Sequence, residues 1–245
     1  MQSALLLIAD IGGYTRFMKF HAASLLHAQE IVGELLDAIV AAVRPTLKLA
    51  KLEGDAAFFY VPRAAADRDP SWLVSCVEAI HATFHHRLAE FARTNLCPCD
   101  GCRQAGRLRI KVVAHSGEIV TRRTAGSTEL TGVDVILVHR LLKNPVPIPE
   151  YFLLTEPVYS MLDGGVREHA SALEIEVDDL GPTATWYLPL TSDEDAIRAI
   201  RVPMTRRLAT HVGRMIRTAG KLLGRAQPCA QFRNIPDLAG PREVS

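Results

Sequence analysis

The segment Leu5-Leu6-Leu7-Ile8-Ala9 runs without a polar break into Asp10, and Gly12, Gly13, Tyr14 and Thr15 follow at once. An apolar run this short cannot span a membrane and fits a buried strand over residues 3–9. It also lacks a basic segment before it, so it reads as a strand rather than a secretion signal, and a cytoplasmic location is expected. A buried strand that ends on a carboxylate and two glycines has two natural explanations. One is an ordinary turn, which Asp and Gly both favour. The other is a cradle for a metal ion and phosphates, where glycines let the backbone come close.

A second stretch bears on that choice. Residues 45–62 read as two strands joined at Glu53-Gly54-Asp55, a tight hairpin that sets a second carboxylate at its tip. The rest of the chain supplies the layers around these strands. Apolar spacing by three and four predicts helices over residues 23–43 and 71–94. Residues 108–123 read as a strand, a turn at Ser116-Gly117 and another strand. A short helix over 132–143, a strand running into a helix over 151–162, and strands at 172–177 and 185–190 complete the series. Hairpins mixed with helical crossovers imply an α+β layer architecture with a mixed sheet. The chain has 245 residues, of which 48% are hydrophobic, enough for a core without crosslinks. No run of 18 or more apolar residues occurs in it.

Net charge is +1, but it is unevenly distributed. Residues 196–245 carry +8, so the remainder carries −7. We therefore divide the chain into a domain over 1–190 and a linker plus basic tail over 191–245. Within the tail, residues 204–227 form a basic amphipathic pattern, with Met204, Leu208, Val212, Met215 and Ile216 on one face. Such a helix fits docking on its own core or on a sister chain, and less well a membrane surface. Nucleic acid is not expected, because no aromatic platform accompanies the charge. Cys97, Cys99 and Cys102 form a C-x-C-x-x-C cluster within residues 97–102, three candidate thiolates for zinc. The fourth ligand is open among Cys76, His85, His86 and a neighbouring chain.

Several of these stretches, in order, resemble the class III nucleotide cyclases. I-A-D-I-G-G-Y-T-R-F is similar to that family's first metal motif, and K-L-E-G-D-A-A-F-F to its Lys-x-x-Gly-Asp hairpin. R-I-K-V-V-A-H-S-G-E-I-V resembles its His-[Ser/Thr]-Gly strand, and E-L-T-G-V-D-V-I-L-V-H-R-L its acidic helix start. Together with the closing elements the likeness covers most of residues 4–190. It implies the ferredoxin-like cyclase fold, a mixed sheet covered by helices, here with a C-terminal helical extension. It further implies cyclisation of a nucleoside triphosphate by attack of the 3′-hydroxyl on the α-phosphate.

By that resemblance Asp10 and Asp55, with the Ile11 carbonyl, hold Mg2+ or Mn2+. Hard cations suit oxygen ligands, and two carboxylates about 4 Å apart repel by roughly 4 kcal/mol at a surface-like dielectric unless a cation joins them. Gly12, Gly13, Tyr14 and Thr15 face the triphosphate. Lys51 and Glu129 read the base, an arrangement that favours ATP over GTP. Arg140 neutralises the α-phosphate as the transition-state arginine.

The pattern also breaks. Ile136 stands where the family has Asn, and His139 on the same helix is the candidate substitute. The closing turn lacks the usual phosphate-binding lysine, for which Arg122 and Arg123 are candidates. Sites of this family form between two chains, so a head-to-tail homodimer is expected. The departures leave two readings: an adenylate cyclase-like enzyme, or a nucleotide-sensing module that has lost turnover.

Overall fold

The computed structural model describes residues 1–20, 25–44, 46–63, 71–95, 102, 104–124 and 127–192, and beyond these 197, 200, 202–205, 207–210, 212–213 and 216. Strand β1 (Gln2–Gly12) is the centre of the sheet. It pairs antiparallel with β3 (Ala56–Pro62) on one side and β4 (Arg109–Thr124) on the other. β2 (Lys48–Glu53) forms a hairpin with β3 at one edge. Beyond β4 come β6 (Tyr151–Thr155), parallel to it, and then β8 (Gly181–Pro189) and β7 (Ser171–Val177), both antiparallel. The order is therefore β2-β3-β1-β4-β6-β8-β7, with β5 (Ser127–Thr131) folded back on the outer end of β4.

The continuous apolar run of β1 follows from burial on both faces. Side chains alternate along a strand. Leu5, Leu7, Ala9 and Ile11 pack under α2 (Leu25–Val43) and α3 (Ser71–Thr94), with Leu35, Ile39, Val77, Ile80 and Phe84. Leu6 and Ile8 point the other way, against Val135 and Val138 of α4 (Val133–Arg140) and the ends of β6 and β7. Short helices α1 (Tyr14–Phe20), α5 (Glu156–Tyr159) and α6 (Gly164–Arg167) also occur among the described residues. No described helix is long and apolar enough to cross a membrane.

One sequence expectation needs correction, and one helix was not foreseen. Ser116-Gly117 is not a turn, because β4 continues through it for 16 residues and Gly117 pairs with Ala4 of β1. The glycine has a different cause. A Cβ there would lie 2.7 Å from Asp134 Cβ and closer still to its carboxyl, so the missing side chain makes room for Asp134. The sequence also shows no sign of a helix directly after Gly13. Gly13 takes a left-handed φ of 84°, and α1 begins at the next residue.

Cys97 and Cys99 lie outside the described residues, whereas Cys102 is buried in the core. The described residues of the tail are largely helical, and Met204, Leu208, Val212 and Ile216 are all exposed there. That apolar face is therefore not seated on the core. The tail still touches the domain: Arg93 Nη2 donates to the Ile197 carbonyl at 2.8 Å, and Thr210 lines a groove between α2 and α3 beside Glu34, Asp37 and Glu90.

Candidate active site at the end of the central strand

The C-terminal end of β1, the β2–β3 turn and the first turn of α1 meet around a cleft of about 460 Å3. Asp10, Ile11, Gly12, Gly13, Tyr14, Thr15 and Asp55 all line it. Backbone pairing brings the two carboxylates together. Asp10 is in register with Ala56, and the Ile11 N–H donates to the Asp55 carbonyl at 3.1 Å. Gly54, with φ of 64°, allows the tight turn that presents Asp55. The first-turn N–H groups of a helix have no carbonyl partner within it, so the start of α1 offers donors beside the carboxylates.

The electrostatics mark two acids crowded against one another. Burial, and then the charge of Asp10, push the Asp55 carboxyl up to about 6, against a backbone N–H bond and Lys111 that oppose the rise. Burial and the Asp55 charge also raise the Tyr14 phenol. Gln104 Oε1 is buried in the same neighbourhood without a hydrogen-bond partner among the described residues, and its side chain lines the cleft. Two carboxylates, one of them held back from ionising, and an orphaned amide oxygen form an oxygen-rich set. That set fits a hard divalent cation.

Sequence reasoning missed the basic side of this cleft. Lys111 of β4 sits opposite Asp10 in register, with Nζ 3.0 Å from Asp10 Oδ2 and 2.8 Å from the Leu142 carbonyl. Arg16 and Arg107 line the cleft as well. The only signal for Lys111 was a lone charge in an apolar strand, and naming its partner needed the register. Because Lys111 holds Asp55 down, Lys111→Met is expected to move the Asp55 titration above 6, followed by carbon-detected NMR of the carboxyl. An unchanged midpoint would refute the coupling.

The remaining predicted residues lie elsewhere on the chain. Lys51, Glu129 and Arg140 are not among the residues lining the cleft. Lys51 is half exposed and ion-paired with Glu53. Glu129 is exposed on β5, in register with Arg122. Arg122 is exposed on the outer end of β4, and the Arg123 side chain is outside the described set. Arg140 binds the β7–β8 turn, donating to the Asp178 carbonyl and, at 3.0 Å, to Asp179 Oδ2. Ile136 is half exposed.

His139 is committed to other partners. Its ring nitrogens bond the Val135 carbonyl at 2.7 Å and Glu53 Oε2 at 2.8 Å, and the ring packs edge-on against Phe58. In the single chain these bonds tie α4 to the β2–β3 hairpin.

The His-Ser-Gly stretch is a clamp of the same kind. His115 is buried, with Nδ1 2.7 Å from Thr155 Oγ1 and Nε2 3.0 Å from Asp134 Oδ1. The other Asp134 oxygen accepts the Glu118 N–H. These bonds fix the start of α4 to the middle of β4.

Solved nucleotide cyclases share this architecture. Guanylyl cyclase Cya2 superposes with a TM-score of 0.62 at 12% identity, over 78% of this chain and 94% of that one. An adenylate cyclase of Trypanosoma brucei gives 0.54 at 16% identity, over 82% and 93%. Adenylyl cyclase CyaB of P. aeruginosa gives 0.52 at 14% identity, over 78% and 95%. The chain thus has the cyclase-like α+β fold.

At the level of sequence, residues 32–151 match a family model described as "Protein of unknown function (DUF2652)". The "Uncharacterized protein Rv2561/Rv2562" of Mycobacterium tuberculosis is 38% identical over 168 residues, 66% of this chain and 75% of the relative. The chain belongs to the family of that mycobacterial protein.

Proposed function

We propose that this protein binds a purine nucleoside triphosphate, ATP, through a divalent cation on Asp10 and Asp55, and cyclises it slowly to cyclic AMP and pyrophosphate. The observation that carries this reading is the pair of carboxylates in one cleft, with Asp55 held back from ionising by burial and by its neighbour. A bound Mg2+ or Mn2+ supplies charge neutralisation to the phosphates and lowers the pKa of the attacking 3′-hydroxyl.

This chain's own residues do the rest. Asp10 and Asp55 set where positive charge is held. The first-turn N–H groups of α1, with Arg16 and Arg107 at the rim, face the phosphate oxygens. These two arginines take the role that the sequence alone assigned to Arg122 and Arg123. Lys51 and Glu129 read the adenine edge, and Arg140 meets the α-phosphate.

Because those three do not line the cleft of their own chain, the reading requires a second copy, arranged head to tail. Exposed apolar residues support such an interface: Leu52 on β2, Val120 on β4, and Val133 and Ile136 on α4. Arg140 must then exchange Asp179 for phosphate. The boundary between the nucleotide domain and the tail falls near residue 190. The exposed apolar stripe of the tail favours the sister chain as its seat over the tail's own core.

A second reading is favoured by a specific observation. Ile136 offers no hydrogen bond at the position where the resemblance expects Asn, and Arg140 is already paired with acid. Loss of one such transition-state donor typically costs about 10²–10³ in rate. The same site then serves as a nucleotide sensor.

The test is incubation of the full chain with ATP or GTP and Mn2+ or Mg2+, with product analysis. Cyclic AMP that disappears in Asp10→Asn supports the enzyme. Binding of a non-hydrolysable ATP analogue without product selects the sensor. Neither binding nor product overturns both.

A further inference from the structure

Helix α3 presents His81 and His85 one turn apart, and Glu150, at the entrance to β6, reaches between them. Glu150 Oε1 is 2.8 Å from His85 Nε2, and its Oε2 is 3.7 Å from His81 Nε2. One donor atom from each of the three lies within 4.8 Å of the others. The imidazoles stand 4.5 Å apart at their centroids.

His81 is only 3% exposed, yet its Nε2 has no hydrogen-bond partner among the described residues. Stranding a buried polar nitrogen costs about 1–3 kcal/mol, so an orphan of this kind calls for a ligand. Glu150 is held in place by the Ile110 N–H at 3.1 Å. His81 and His85 also line a cavity of about 590 Å3 between α3 and the segment following β8, where His86 and Glu78 are further neighbours.

We propose that His81, His85 and Glu150 bind a divalent transition-metal ion, zinc by donor chemistry, with its open coordination position towards this cavity. Two neutral imidazoles and one carboxylate suit zinc and its neighbours. Magnesium and calcium prefer all-oxygen sets. Three protein ligands leave a fourth position for water or a small anion. The ion takes the place of the proton shared between His85 and Glu150 and satisfies the orphaned nitrogen of His81. It also joins two parts of the chain 65 residues apart. The site uses none of the residues of the carboxylate cleft and draws on none of the cysteines of residues 97–102.

Co2+ titration of the chelator-treated full chain, with Zn2+ as competitor, tests this. One equivalent is expected to give visible bands of low-coordinate Co2+ without a thiolate charge-transfer band, and Zn2+ should displace it. His85→Ala, and Glu150→Gln, which keeps an acceptor for Ile110, should each weaken binding more than about 100-fold, beyond a typical outer-shell loss. Zn2+ should raise the melting temperature of the parent and of Asp10→Asn/Asp55→Asn, but not of these two variants; circular dichroism checks that they fold. Absent bands, bands that survive both substitutions, or a thiolate band lost on mutating Cys97 and Cys99 would overturn the assignment.

Discussion

Asp55→Asn is expected to abolish divalent-cation binding in the cleft and, at the same time, to stabilise the metal-free protein at neutral pH. Both effects follow from a carboxyl whose folded pKa, about 6, lies above its unfolded value of 3.8. In the window between those values the folded state holds more protons than the unfolded state, so stability falls as pH rises through it. The penalty is absent below about 4 and complete above about 6. Asparagine cannot ionise and so escapes it. After allowance for solvent screening of a half-buried group, the variant should gain about 1–2 kcal/mol at pH 7.5 and nothing at pH 4. Denaturant melts at the two pH values, in chelator, measure this directly. Mn2+ binding, followed by electron paramagnetic resonance, should weaken at least about 100-fold. A variant less stable than the parent at pH 7.5, or one that binds Mn2+ normally, would show that Asp55 is an ordinary turn residue.

Gly117→Ala should be among the most damaging single-methyl additions in the domain. The new Cβ would meet Asp134 at 2.7 Å from its Cβ and overlap its carboxyl. Asp134 must move, and it then loses both His115 Nε2 and the Glu118 N–H. His115 is left buried with an unsatisfied ring nitrogen. At about 1–3 kcal/mol per stranded group the loss is about 3 kcal/mol, or roughly 6–12 °C in melting temperature for a domain of this size. Asp134→Ala alone breaks the same clamp, so the double variant should be much less than additive. Additive losses, or a melting temperature unchanged by Gly117→Ala, would remove the clamp as the reason for this glycine.

The clamp shows how a motif can be legible while its meaning is not. His115-Ser116-Gly117 stood out in the sequence as a turn. The physical cause of the glycine, the Asp134 carboxyl on a helix 17 residues later, exists only when β4 and α4 pack. His139 is a similar case. Its position on the helix of Arg140 invited a catalytic role, and its bonds to Glu53 and Val135, which hold the hairpin, had no signal in the sequence. The two cleft carboxylates were found from sequence because each sat beside a glycine at the edge of an apolar strand. Asp10 lies at the end of one apolar strand and Asp55 directly before another, beside Gly12 and Gly54. Nothing local tied Lys111, Gln104 and Arg107 to that cleft, and β-sheet register or a loop's path brings them in.

Local chemistry was enough to specify most elements: apolar spacing gave α2, α3 and the buried strands, because burial imposes a period on any chain that forms them, whereas α1 and β5 went unread. It was also enough to single out two carboxylates, because an acid at the end of a buried strand is costly without a reason. Which cations and amides surround those acids depended on strand register and on the path of the segment before β4, Lys111 lying 101 residues from Asp10, and only tertiary structure decided that. Electrostatic energy depends on distance through space, and sequence separation does not record that distance.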